Sequence, residues 1–268
     1  MSTITAHELR GTARRVGFGD VLRAEWSKLW SVRSTWWTLA ALVVLGAGLT
    51  TALCWGNADW LASGDADESP GSFITVGMTI SQVCALVLGV LVVTSEYGSG
   101  MIRTTLAATP GRGRVIFAKS VVVAAVLMIA GTLTALLGYV GGNWFLDREG
   151  IGLSLEGDVL RAMYGSGLFL AGLGVLGVAV GFLVRHTAAA ISVLLAQLFV
   201  VETLVMLIPG SFGDWVAKVM PGNAGLQVAS PVSFIPDMFD PWVAFAVFLA
   251  EVAALWTTAW WLLEKRDA

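Results

Sequence analysis

Two carboxylates interrupt long apolar stretches of this chain, Glu202 within residues 188–208 and Glu251 within residues 242–263. At the helical rise, Glu202 lies about 21 Å and Glu251 about 14 Å along its stretch. A carboxyl at that depth in a bilayer is costly, and by default it marks an ion, proton or substrate site. Each acid can equally be a protonated group satisfied by a neighbouring helix. Other chemistry is thin. His7 and His186 are the only histidines. Neither belongs to an H-E-x-x-H or a Ser-His arrangement, and His186, at a turn beside Arg185, suits an interfacial polar role. Cys54 and Cys84 are too few for a disulfide scaffold or a tetrahedral zinc site and are expected to be free thiols. With two acids on offer inside the apolar runs, an intramembrane protease or lipid-transferring enzyme is not expected, and no metal site is.

The elements that must position these acids are membrane spans. Of 268 residues, 56% are hydrophobic and 13% charged, with a mean hydropathy of +0.78. An ordinary soluble domain carries about 25% charged residues. So little polar surface cannot cover a soluble core of this size, which excludes a water-soluble enzyme. The net charge of −3 offers no basic surface for nucleic acid. Six runs are long enough to cross a bilayer: residues 36–55, 73–94, 115–140, 163–184, 188–208 and 242–263. The first 35 residues lack the short apolar core and small-residue cleavage site of a signal peptide, so the first span is expected to stay.

Thirteen of the sixteen Lys and Arg fall on one side of these spans, and only Arg148, Arg161 and Lys218 fall on the other. Positive residues stay inside, so both termini are expected in the cytoplasm. The first outer loop reverses the pattern, carrying Asp59, Asp65, Asp67 and Glu68 without a Lys or Arg. Tryptophans flank the spans at interfacial positions, among them Trp36, Trp37, Trp55, Trp60, Trp260 and Trp261. The expected fold is therefore an all-α membrane protein. It has a cytoplasmic arm over residues 1–35 and a six-span domain over residues 36–268. The long outer loop 209–240 has an amphipathic stretch at 215–220, stopped by Pro221-Gly222, and reads as a structured cap or re-entrant element.

Two elements lie in the cytoplasm. Apolar residues at 18, 21, 22, 26, 29 and 30 follow a helical period, opposite Asp20, Arg23, Ser27, Lys28 and Ser31. Such a helix lies in the interface before the first span, with its Lys and Arg toward the cytosol. It is either a simple anchor or a docking surface for a partner. Residues 95–119 contain a second short helix at Met101–Ala108. Gly98 and Gly100 loosen the chain before it, a Pro110-Gly111 turn follows, and Arg112, Arg114 and Lys119 lead back to the bilayer. That helix, parallel to the membrane, can pass a push into the spans; a plain basic loop fits the charge rule equally well.

The second segment resembles the loop after span two of the ABC type-2 transporter permease family, particularly its actinobacterial members. The matching residues are Glu96, Tyr97, Gly100, Ile102, Arg103, Thr104, Thr105, Leu106, Ala108, Pro110, Arg112, Ala118 and Lys119. The arm is similar to the same family through Glu25, Trp26, Lys28, Leu29, Ser31, Arg33, Ser34, Thr35 and Trp37. The ending Glu264-Lys265-Arg266-Asp267-Ala268 resembles the family's terminal R-R-D-A, with Lys265 replacing its first Arg.

The resemblance implies the permease of an exporter in a bacterial plasma membrane. It would carry no ATPase of its own, and no G-x-x-x-x-G-K-[ST] loop is present. Its partners would be two copies of a separate ABC ATPase, which bind ATP and magnesium, a second permease copy or a sister permease, and the lipid bilayer. Residues 96–119, including Arg114, would form the coupling helix and its flanks, and the arm helix the connecting helix. The second and fifth spans would line the substrate path, with Ser81, Gln82, Gln197 and Glu202 as contacts. An ion-gradient transporter using Glu202 or Glu251, and a membrane anchor or sensor, are the alternatives. In span four, Gly177 and Gly181 form a small-xxx-small pair suited to close helix packing within the chain, or to a hinge or dimer contact.

Overall fold

The computed structural model describes residues 17–63, 66–109, 111–233, 235 and 237–265. His7, Asp65, Pro110, Arg266, Asp267 and Ala268, all named above, lie outside the described residues, as do Arg10, Arg14 and Arg15 of the basic arm.

The arm forms helix α1, Phe18–Ser31, which ends at Val32 where the backbone turns extended. Helix α2, Arg33–Ala62, starts at once. A single turn, α3 (Pro70–Phe73), leads into α4, Met78–Ser99. Gly100 then adopts a left-handed φ of 73°, which glycine takes without a Cβ penalty, and reverses the chain into α5, Met101–Ala108. Helix α6, Arg112–Arg148, returns across the bundle, and α7, Gly157–Val184, follows. The fifth apolar element is composite: α8 (Thr187–Leu195), a π-helical turn (Ala196–Val201) and α9 (Glu202–Met206). Three short pieces come next: α10 (Ser211–Val219), α11 (Pro221–Leu226) and a 3-10 turn (Gln227–Ala229). Helix α12, Pro241–Lys265, closes the chain.

Six helical segments among the described residues are long and apolar enough to cross a membrane, and each contains most of one of the six runs predicted from hydropathy. The helices run past the apolar windows because α2 and α6 continue into polar ends that a hydropathy reading leaves out. Helix α7 is the centre. The apolar window of α7 is 72% buried, against 22% for α2 and for the fifth span. It packs on α6, α4 and α12. A Cβ at Gly177 would stand 2.7 Å from the Leu86 carbonyl oxygen and 3.1 Å from Gly89 Cα. The glycine pair in α7 therefore serves the α4–α7 crossing inside this chain.

One expectation holds and one changes. The amphipathic helix α10 ends at Val219, with Met220 extended before Pro221-Gly222; Pro221 then opens α11 at a first-turn position, where its missing N–H costs nothing. The segment then lies along α7 and α12: the Gly225 position is flanked by Phe169 and Phe248, and Arg161 Nη2 donates to the Ser230 carbonyl at 2.7 Å. The change concerns α1. It turns Val21, Glu25 and Leu29 inward, whereas Trp26 is 46% exposed. Lys28 also points toward the bundle rather than away from it, because carboxylates wait for it there.

Candidate functional site

At the α1 end of the bundle, four charges from three elements close into one cluster. Lys119, on α6, donates from Nζ to Glu25 Oε2 and to Glu96 Oε1, both at 2.6 Å, and to the Val92 carbonyl at 3.3 Å. Lys28, one turn after Glu25 on α1, donates to Glu25 Oε1 at 2.7 Å, Glu96 Oε1 at 3.0 Å and Thr105 Oγ1 at 3.1 Å. Thr105 belongs to α5, so the cluster ties α1, α4, α5 and α6 together. The side chains of Lys119, Glu25 and Glu96 are 1%, 3% and 3% exposed, and that of Lys28 is 30% exposed.

Burial on this scale is tolerable because two carboxylates face two ammoniums and nearly every hydrogen-bonding position is filled. Burial alone would lower the Lys28 pKa. The hydrogen bonds and charges of Glu25 and Glu96 outweigh it and hold the ammonium above its ordinary 10.5. The charge pattern of the sequence places Lys28 and Lys119 on a positively charged cytoplasmic face; in the structure both are spent inside the cluster.

The remaining arm and loop residues sort by exposure. Arg103 and Thr104 are exposed on α5, while Ile102 and Leu106 anchor its other face in the core. Between α1 and α5 runs a groove of about 350 Å³, with Asp20, Ala24, Met101, Thr104 and Ala108 on its walls. Tyr97 is half-buried, its ring edge-on to Phe182 at 6.3 Å, with the Arg185 guanidinium 5.2 Å above it. Arg112 donates to the Leu263 carbonyl at 3.2 Å, tying α6 to the last turn of α12. Arg33 and Arg114 are exposed, and Leu29 is buried beneath α1. His186 Nδ1 accepts from the Ala189 N–H at 3.3 Å and so begins α8.

The four residues expected along a substrate path do not form one site. Ser81 is fully buried and donates to the Leu42 carbonyl at 3.1 Å, within the α2–α4 contact, and Gln82 beside it is buried too. Gln197 donates to Met220 Sδ at 3.7 Å. Glu202 is 6% exposed and accepts the Gly222 backbone N–H at 2.7 Å. The latter two thus hold the 211–229 segment against the fifth span. Glu251, on α12, has its Oε2 buried without a hydrogen-bond partner.

What sequence reasoning missed was the cluster as a unit. A signal was available: Glu25 and Glu96 are acids within otherwise basic segments, and Lys119 stands four residues inside an apolar run. Each asks for a partner.

A scan of this sequence against protein-family models finds no match, and a search of the curated proteins finds none.

Proposed function

We propose that this chain is the permease of an ATP-driven exporter and works with two copies of a separate ABC ATPase. The reading starts from the resemblance of residues 25–37 and 96–119 to ABC type-2 permeases. The observation that carries it is the buried Glu25–Lys28–Glu96–Lys119 cluster. It makes α1 and α5 one body, fastened to the ends of α4 and α6. A push on α5 through Arg103 and Thr104 then reaches two spans without being lost in loop motion, as transport driven by a partner's closure requires. The exposed groove between α1 and α5 is where the ATPase would seat. ATP and magnesium would be bound by the ATPase, and this chain would hold no cofactor. Both termini would be cytoplasmic, in a bacterial plasma membrane, and a second copy or sister permease would complete the complex.

Native mass spectrometry of the tagged chain, gently extracted from its own host's membranes, tests this. The expected species contains two six-span chains and two copies of a soluble ATP-binding protein. A lone chain or bare dimer under several mild detergents would refute the reading.

The unpartnered Glu251 carboxyl oxygen favours one second reading, transport driven by an ion gradient. It predicts transport that survives ATP depletion and collapses with the proton gradient.

A further inference from the structure

Beyond the fifth span the chain lays a helix on the end of the bundle opposite α1. Only residues 207–210 separate α9 from α10, so α10 lies at the level where the span leaves the bilayer. Its period puts Phe212, Trp215, Val216 and Val219 on one face and Asp214 and Lys218 on another. Phe212 and Trp215 are 68% and 56% exposed, an apolar face suited to the headgroup level. The polar face borders a pocket of about 430 Å³, within the roughly 300–1,000 Å³ of small-molecule sites. Asp214 and Lys218 line it from α10 and Asp237 from the loop before α12, with Met206, Ala217 and Ile235 as apolar wall.

Asp214 and Lys218 stand one turn apart on α10, the spacing at which an acid and a lysine pair. Yet among the described residues none of the three pocket charges is in an ion pair or a side-chain hydrogen bond. Asp214 and Asp237 are exposed and Lys218 is half-buried, so a ligand can reach all three. The Ala217 carbonyl is already taken by Met220 and Asn223, and both backbone groups of Ile235 bond to Ser233 Oγ. The side-chain charges are left to select the ligand. A purely anionic group would meet one ammonium with two carboxylates against it. A lone cation would satisfy the carboxylates but stand beside an unpaired Lys218. A molecule carrying both signs pairs with all three. A primary ammonium has three protons to give to two carboxylates, and a phosphodiester suits the single lysine. A choline headgroup has the same charges but no N–H, and so offers the carboxylates less.

We propose that this pocket binds the zwitterionic headgroup of a phosphatidylethanolamine-type lipid in the leaflet opposite α1. The ammonium sits between Asp214 and Asp237, and the phosphate on Lys218. The acyl chains follow the end of the fifth span, where Leu204 and Leu207 are 56% and 73% exposed. A lipid fits better than a soluble zwitterion because Phe212 and Trp215 hold α10 at the interface. The site needs only that the chain sits in a membrane; it does not depend on a partner ATPase.

The test uses the full chain in phosphatidylcholine nanodiscs doped with phosphatidylethanolamine that carries a diazirine high on one acyl chain. Peptide mass spectrometry should place the label within residues 204–219. Unlabelled phosphatidylethanolamine should compete, whereas phosphatidylglycerol and an alkylammonium should not. Lys218→Gln, and Asp214→Asn combined with Asp237→Asn, should each cut labelling about tenfold, as loss of one charge-assisted contact would. Asp59→Asn, at another exposed acid on that end of the bundle, should leave it unchanged. None of these substitutions touches the core, so the fold should persist. Equal competition by phosphatidylglycerol, or no label on folded protein, would overturn the proposal. Loss in the aspartate variant alone would mark a plain cation site and overturn it too. Competition by water-soluble glycerophosphoethanolamine at equal concentration would make the ligand a soluble zwitterion and sink the lipid assignment. A chain that takes the label as described but recruits no ATPase would leave this site standing and sink the exporter reading.

Discussion

Lys119 Nζ and Glu96 Oε1 meet at 2.6 Å in a nearly solvent-free pocket, although the whole of α5 and its flanking turns separate them along the chain. The bond joins the end of one span to the beginning of the next, and α5 is the loop it closes. The same lysine reaches back 94 residues to Glu25. The position of α5 therefore rests on electrostatics buried beneath it.

Removing one member of that pair should be costly. Lys119→Met leaves two buried carboxylates facing Lys28 alone and should destabilise the chain by about 3–5 kcal/mol. Thermal unfolding of Lys119→Met, Glu96→Gln and the double variant forms a cycle. The double variant should lose much less than the sum of the singles; additive losses would show that the pair is not coupled.

Arg103 and Glu96 should behave differently. If α5 couples to a partner, charge reversal at either residue should disturb that coupling, but only one of the two should spare the fold. Arg103 is exposed, so Arg103→Glu should stay within about 0.5 kcal/mol of the parent while weakening ATPase association. Glu96→Lys would place three ammoniums around one carboxylate and should unfold the α1–α5 unit. Hydrogen exchange over α1 and α5 separates the two. Equal protection in both variants would contradict the distinction.

Alkaline titration should release α1. The folded pKa of Lys28 is raised above 10.5. The stability it contributes is therefore fully present below 10.5 and is lost as pH climbs through the higher folded value. Trp26 and Trp30 on α1 report the change by fluorescence. Lys28→Met should lack that alkaline step, and an unchanged profile would place its origin elsewhere.

Glu202 should prove to be an anchor for the 211–229 segment. A Cβ at Gly222 would stand 2.7 Å from Glu202 Oε1 and 2.8 Å from a Leu198 methyl, so Gly222→Ala should loosen α11. Glu202→Gln keeps an oxygen to accept the Gly222 N–H and should retain the fold, whereas Glu202→Leu should not. Limited proteolysis across 211–229 reads all three. If transport still changes in Glu202→Gln, the charge has a role beyond anchoring.

Local patterns carried much of this architecture. Runs of apolar residues mark the six long helices, because crossing a bilayer sets a length that hydropathy reports directly. The 3.6-residue period marks α1, and Gly100 with the short run after it marks α5. Pairing is another matter. Which acid Lys119 would meet, that Ser81 would be sealed between α2 and α4, and that Gly222 would bring its N–H to Glu202 all depend on helices meeting across long stretches of chain. A residue's helical face follows from its own neighbours. Its buried partner follows from how whole helices cross, and glycine contacts such as Gly177 on Leu86 and Gly89 set those crossings. That is why Lys28 reads as a solvent-facing charge in the sequence and stands in the folded chain as part of a buried, neutral cluster.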